Sequence, residues 1–368
     1  MGDDRFINRP LSVALDLVRA VAALVVLVGH SVQVGLYSGY FPFSDMMQHD
    51  AVIVFFVLSG LVISSSVGDG RATLSSYAIA RAARILPVSL PALAFALGAY
   101  LLAQYNGTPP PINPPAYDIL TLRSFILPPL FLSENSFGLG PVWNPPYWSM
   151  CYEAWFYAIF AAASFLRGAS RVIWIGIFAL LAGPRVLMLL PIWLIGVGLA
   201  SCGASSRASS LHGIFLMSIA VASFPLTSGV AVPVAEALIR VTPWELGYSR
   251  FILTDLLLGL GIALGFIGMR PLVTAGWSWF SRIERPIRYM AGLSFTLYLL
   301  HWPILCLLLT FGIGCGSSVA GFILALTAVV AFCAVVAAVT ERRRNAMRAL
   351  LAALFNQNSW RNSRVLHR

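Results

Sequence analysis

Apolar residues run along this chain in long, unbroken blocks separated by short polar punctuation. Ten such blocks stand out, at 13–36, 50–67, 85–103, 147–166, 172–184, 186–201, 211–227, 250–268, 289–311 and 318–340. Each meets or approaches the roughly 20 apolar residues that a helix needs to cross a bilayer. The blocks are continuous and do not alternate, so a strand-based barrel is not expected. The pattern predicts an all-α integral membrane protein of about ten transmembrane helices. It leaves open whether the short fifth block is a separate span or part of the sixth.

The connections carry the orientation signal. One set holds Arg5 and Arg9, then Arg71, Arg81 and Arg84, then Arg167 and Arg171, then Arg207. It continues with Arg270, Arg282, Arg285 and Arg288 and ends in the tail from Arg342 to Arg368. The opposite set holds only Arg123, Arg185, Arg240 and Arg250. Basic residues accumulate in cytoplasmic loops, so both termini are expected in the cytoplasm. Residues 1–340 read as one membrane-embedded domain and 341–368 as a basic cytoplasmic tail. The tail mixes arginines with Leu350, Leu351, Leu354 and Phe355, the pattern of a segment lying on anionic lipid. Residues 68–84 read as a surface helix feeding the third span. The proline-rich stretch 104–146, with Pro109, Pro110, Pro111, Pro114, Pro115, Pro128 and Pro129, reads as a stiff spacer or a lid.

Composition excludes a soluble protein. Hydrophobic residues make up 59% and charged residues 10%, mean hydropathy is +0.83, and a soluble domain is typically about 25% charged. The net charge of +10 is carried by arginine alone, since the chain has no lysine. That excess does not point to nucleic acid, because these arginines punctuate apolar spans and do not form a soluble basic face. The five cysteines (Cys151, Cys202, Cys306, Cys315, Cys333) are scattered without metal-ligand spacing and read as small apolar residues. The run from Val13 to Tyr37 is too long for a cleavable signal.

Ionisable residues within spans are costly, about 2.5–3.5 kcal/mol or more each, so they mark candidate sites. The first span carries Asp16, Arg19 and His30, with Gln33 beyond. Arg19 and His30 return to within about 20° of one face and lie roughly 16.5 Å apart along the axis; Asp16 and Gln33 share the stripe. His30 could instead bond a neighbouring helix's carbonyl, and Asp16 and Arg19 could pair with each other. Glu153 in the fourth span lies at the same depth as His30 on a helix running the other way, so the two could meet. Ser294, Tyr298 and His301 share a face in the ninth span, with either a site-supporting or a purely structural hydrogen-bonding role. Arg81 and Arg84, as i and i+3 neighbours, can face one anion, and arginine binds phosphate through paired hydrogen bonds; topology and lipid headgroups are the plainer explanation.

Together these residues suit transfer of an acyl group. Acyl-CoA would dock its phosphates on Arg19, Arg81 and Arg84 and carry its thioester along the stripe to His30. There the imidazole would take the proton of an acceptor hydroxyl, or accept the acyl group itself, with Glu153 orienting the ring.

The chain also resembles the acyltransferase-3 family of integral membrane O-acyltransferases. The matching elements, in order, are Leu15-Asp16-Leu17-Val18-Arg19, the Arg19-to-His30 spacing and Phe55-Phe56-Val57-Leu58-Ser59-Gly60. There follow Arg81-Ala82-Ala83-Arg84 with Pro87, then Trp148-Ser149 with Glu153, and Ser294 to Pro303 through Tyr298, His301 and Trp302. The resemblance implies transfer of an acyl group, commonly acetyl from acetyl-CoA, to hydroxyls of a surface or exported glycan or glycolipid. It implies His30 as the essential residue, an Arg81/Arg84 donor side and Glu153 as the fourth-span acid. No permanently bound cofactor is expected, only acyl-CoA as co-substrate, in a bacterial inner membrane. Some relatives carry an extracytoplasmic hydrolase-like domain; this sequence shows none, so the protein is expected either to be self-sufficient or to work with a separate partner. The rival readings are a transporter or flippase for a lipid-linked glycan or small anion, another membrane O-acyltransferase fold with its histidine in a later span, and a scaffolding membrane protein.

Overall fold

The computed structural model describes residues 6–365 except 69, 71, 108–114, 136–139 and 203–208. Arg5, Arg71, Arg207, Arg368, Pro109, Pro110, Pro111 and Pro114 therefore lie outside the described residues. The described residues build helices and no strand. The principal ones are α1 (Arg9–Gln33), α2 (Met47–Val67), α3 (Leu74–Tyr105), α4 (Trp148–Phe165), α5 (Gly168–Ser201) and α6 (Ser210–Val241). They continue with α7 (Ile252–Ala275), α8 (Glu284–Ala291), α9 (Ser294–Thr310), α10 (Val319–Val339) and α11 (Arg344–Val365).

Among the described residues, seven helices are long and apolar enough to cross a membrane, or eight if the bent pair Trp277–Ala291 and Ser294–Thr310 is one broken span. That differs from the ten expected, for two local reasons. Helix α4 is short, and Glu153 with its polar aromatic neighbours keeps it below the hydropathy of a self-sufficient span. The fifth and sixth blocks meet without a loop at Gly183 in α5, as two helices on either side of a kink, and so count as one; the φ of +79° at Gly183 suits a residue without a Cβ.

Burial divides the bundle into centre and wall. In the spans containing α2 and α7, 67% of the apolar window is buried, against 17–22% in α5, α6 and α10. The wall helices turn Leu180, Leu226 and Leu324 outward, each 70–83% exposed, a surface that needs lipid and not water around it. Association of such helices depends on close backbone approach at small residues. Gly60 of α2 lies against the carbonyl of Trp193, and Gly196 of α5 against that of Val57. Gly213 and Gly268 make the same kind of contact between α6 and α7.

Three connections decide what the bundle can hold. Thr73 and Ser76 form a reciprocal capping box that starts α3 at Leu74. The surface helix expected over 68–84 is thus the first part of one helix reaching Tyr105, and Arg81 and Arg84 sit in its early turns. The described residues between α3 and α4 pack onto the bundle as a cover. Trp143 is fully buried and donates through Nε1 to Asp118 Oδ1 at 2.9 Å, while Tyr147 Oη donates to the Pro128 carbonyl at 3.1 Å. Asn144 Nδ2 donates to the Leu299 carbonyl at 3.0 Å. That carbonyl is available because Pro303, four residues on, has no N–H to offer it. The tail continues as α11, which packs against α3.

Candidate active site

Two adjoining cavities occupy the bundle centre. The first is lined by Arg19 of α1, Ser59 of α2, Arg81 and Arg84 of α3, Glu153 and Tyr157 of α4, and Ser294 and Tyr298 of α9, among mostly apolar neighbours. Three guanidinium groups against one carboxylate leave it net positive. Asp16 holds Arg19 at 2.9 Å and is itself held by Arg288 at 3.0 Å from the start of α8's last turn. Arg81 lies over the rings of Tyr77 and Tyr157, 5.8 and 5.7 Å from their centroids, and Arg84 over Phe295 at 6.0 Å. Neither forms an ion pair with another described residue, and Arg81 Nε is buried without a hydrogen-bond partner. Half-buried cations without an ion-pair partner are costly in a membrane bundle, and an anionic ligand with several acceptor oxygens would offset that cost through charge-assisted bonds.

Glu153 is held on the wall of this cavity. Ser59 Oγ donates to its Oε1 at 2.6 Å, Tyr157 Oη donates to the same oxygen, and Trp193 Nε1 donates in turn to Ser59 Oγ at 3.3 Å. These partners come from α2, α4 and α5.

The second cavity is lined by His30, Gln33, Asp45, Gln48, His49, Trp148, Tyr248, Arg250 and Trp302, with Pro145 and Pro146 of the cover. His30 is paired with His301: Nδ1 and Nε2 are 2.8 Å apart, and the rings are parallel within 3°. The protonation pattern follows from the next bond. His301 Nδ1 lies 3.0 Å from the Leu297 carbonyl, which only accepts, so Nδ1 carries the proton. A neutral His301 therefore presents its Nε2 lone pair to the Nδ1–H of His30, and the His30 lone pair is left on Nε2. That nitrogen has no bonding partner among the described residues. Trp302 packs edge-on to the His30 ring at 4.8 Å. The imidazole is oriented by a fully buried histidine on one side and an indole on the other.

Tyr298 and Val52 line both cavities. The Tyr298 hydroxyl donates to the Pro146 carbonyl at 3.0 Å and lies 2.7 Å from Ser149 Oγ. It joins the cover, α4 and α9 at the boundary between the two spaces.

The structure thus gathers Arg19, Arg81, Arg84, Glu153, Ser294 and Tyr298 around one cavity and sets His30 in the next, backed by His301. One expected contact is not made: Glu153 bonds to Ser59 and Tyr157, and the partner of His30 is His301. Asp16 lies behind Arg19 and lines neither cavity. Sequence reasoning gave no site role to Ser59, Tyr157 or, in the second cavity, His49. His49 Nε2 lies 3.0 and 3.1 Å from the two carboxylate oxygens of Asp255. An acid inside the apolar run 250–268 was the available signal, by the same criterion that marks Asp16.

A family model described as an acyltransferase domain matches residues 12–340, nearly the whole chain. The chain belongs to the acyltransferase-3 family. This acyltransferase is a multi-pass membrane enzyme, and both cavities lie within the matched residues. Among curated proteins, "Protein 2 in picA locus" of Rhizobium radiobacter is 32% identical over 148 residues, covering 36% of this chain and 74% of that protein. No solved structure matches the chain.

Proposed function

We propose that this acyltransferase moves an acyl group, most simply acetyl, from cytoplasmic acyl-CoA to a hydroxyl of a surface or exported glycan or glycolipid. The observation that carries the reading is the adjacency of a cationic cavity to one that holds an oriented, unoccupied imidazole nitrogen, with Tyr298 between them. Arg19, Arg81 and Arg84 take the donor's phosphates, and the thioester reaches the His30 cavity past Tyr298. His30 Nε2 acts there as base or as acyl carrier, while His301 supports the charge that develops on the ring. Glu153 belongs to the donor side, where it fixes the cavity wall through Ser59 and Tyr157 opposite the arginines. On this reading residues 1–340 are one catalytic domain in a bacterial inner membrane, both termini are cytoplasmic, and the basic tail 341–368 rests on anionic lipid. Delivery to the acceptor can involve a separate extracytoplasmic partner.

The test uses membranes carrying the protein, with acetyl-CoA labelled in the acetyl group. Label should enter one glycan or glycolipid fraction and should do so only with His30 present. Label that enters no fraction, together with donor that neither binds nor turns over, would refute the reading.

Two variants separate the parts. Arg84→Ala should weaken donor binding by about 10- to 100-fold, the scale of one lost charge-assisted hydrogen-bonding group at about 1.5–3 kcal/mol. Its maximal rate should fall much less. Titration with acetyl-CoA at matched protein level measures this; unchanged donor affinity would make Arg84 a topological residue. His301→Phe removes the acceptor of the His30 Nδ1–H without removing the base. It should lower the maximal rate by about 10- to 100-fold, less than the roughly 10²- to 10⁴-fold lost with an acid–base group itself, and leave the donor KM near wild type. A change in KM alone would contradict the orienting role.

A further inference from the structure

The second cavity contains a second histidine that the reading above does not use. His49 stands in the first turn of α2 and is 8% exposed. Its ring stacks on Trp148 at 6.1 Å and packs on Phe251 at 4.9 Å. Its Nε2 is committed to the Asp255 carboxylate, which is 2% exposed on α7. Its Nδ1 has no hydrogen-bond partner among the described residues, and His49 lines the second cavity. The preceding residue ties this turn to the end of α1: Gln48 packs against Gly29, beside His30, and its Nε2 donates to Gln33 Oε1 at 3.2 Å. His30 and His49 therefore serve one chamber, each with one nitrogen anchored by protein and one left open.

A buried histidine–carboxylate pair does little for stability, since well-packed apolar residues of similar volume commonly do as well or better. Its cost within a membrane bundle points to a task. The arrangement of an imidazole with one nitrogen bonded to a buried carboxylate and the other open is that of a general base, the carboxylate fixing the tautomer and stabilising the imidazolium that forms.

We infer that His49, held by Asp255, accepts the proton of the acceptor hydroxyl, which leaves His30 to carry the acyl group. This rests on the proposed acyl-CoA-dependent transfer and divides its chemistry between two histidines. In the first step His30 Nε2 attacks the thioester carbonyl; the new C–N bond forms, the C–S bond breaks, and CoA departs as thiolate. In the second step the acceptor oxygen attacks the same carbonyl carbon while its proton passes to His49 Nδ1. The C–O bond forms, the C–N bond breaks, and neutral His30 is restored. His49 then releases its proton to solvent, where it balances the thiolate. His301 and Asp255 are positioning residues for the two rings.

The experiment uses the purified full-length protein in detergent with labelled acetyl-CoA, first alone and then with the glycan fraction extracted from host membranes. Without the glycan fraction, wild type and His49→Ala should each release one equivalent of CoA and retain one equivalent of label on His30, trapped with hydroxylamine. His30→Ala should do neither. With the glycan fraction, His49→Ala should transfer label about 10²- to 10⁴-fold more slowly than wild type, the usual contribution of a general base. Added imidazole should restore part of that rate to His49→Ala and none to His30→Ala. His49→Gln, which keeps a donor toward Asp255 but has no base, should show the same loss at wild-type yield, so that misfolding of the alanine variant does not decide the matter.

Transfer by His49→Ala or His49→Gln at the wild-type rate would overturn the inference while leaving the proposed function standing. Loss of the one-equivalent CoA release in monodisperse His49→Gln would overturn it too, by placing His49 on the donor step, as would a wild-type protein that never acquires label on His30. Undiminished CoA release and transfer by His30→Ala would instead refute the proposed function itself.

Discussion

Replacing His30 by alanine is expected to reduce acyl transfer by at least about 10²- to 10⁴-fold, the contribution of a single acid–base group and the minimum for loss of an acyl carrier, or roughly 2.7–5.4 kcal/mol of barrier. The protein should remain folded. His30 is half-buried, and its loss leaves His301 Nε2 without its partner, an unsatisfied buried acceptor that costs about 1–3 kcal/mol. Helix α9 keeps its own anchors, since Thr296 N and Oγ1 both donate to Glu341 at 3.0 Å and Asn144 bonds the Leu299 carbonyl. Initial rates of label transfer at matched protein level, beside thermal unfolding in detergent, measure the two effects separately. A rate within threefold of wild type would remove His30 from the chemistry. A collapse of the melting temperature would assign the histidine pair to the scaffold.

The second large effect concerns stability. Gly60→Val should destabilise the protein by more than about 3 kcal/mol, beyond the usual 1–3 kcal/mol of an overpacked core. A Cβ at position 60 would overlap the carbonyl oxygen of Trp193, and one at position 196 the carbonyl oxygen of Val57. Backbone atoms on both sides cannot rotate away, so α2 and α5 would have to part. Parting them also breaks the Trp193–Ser59–Glu153 chain that shapes the cationic cavity. Gly98→Ala is the contrasting substitution: a Cβ there meets nothing within 4 Å, so the greater helix propensity of alanine should appear as a gain of up to about 1 kcal/mol. Size-exclusion chromatography of heated, detergent-solubilised samples measures both. Equal melting temperatures for Gly60→Val and wild type would mean that the glycine contact is not what holds the two helices together.

Much of this protein is legible in one dimension because a bilayer imposes one-dimensional rules. The apolar blocks, the scarcity of charge and the asymmetric arginines depend on composition and order alone, and they led to an all-helical membrane protein without reference to packing. Positions within a single helix were equally accessible. Arg19 and His30 share a face by helical geometry, and Arg81 and Arg84 lie side by side because they are three apart; the bundle carries Arg19, Arg81 and Arg84 into one cavity and His30 into its neighbour. Ordered short motifs along residues 11 to about 340 also sufficed to suggest the family.

Contacts between helices were another matter. Glu153 and His30 were matched by depth, but depth leaves the rotation of each helix about its axis undetermined. In the folded bundle α4 turns Glu153 toward Ser59 and Tyr157, while α9 brings His301 to His30 across 271 positions of sequence. The number of spans depended on local breaks that hydropathy averages over, such as the positive φ at Gly183 and the polar aromatic start of α4. The cover acts as a lid because Pro303 leaves the Leu299 carbonyl open and Asn144 takes it. Sequence alone therefore determined the class of molecule and the polar residues along each helix, since those follow from burial in lipid and from helical periodicity. Only the tertiary structure decided which polar residues meet, because azimuth, backbone approach and unsatisfied carbonyls are resolved when the helices pack.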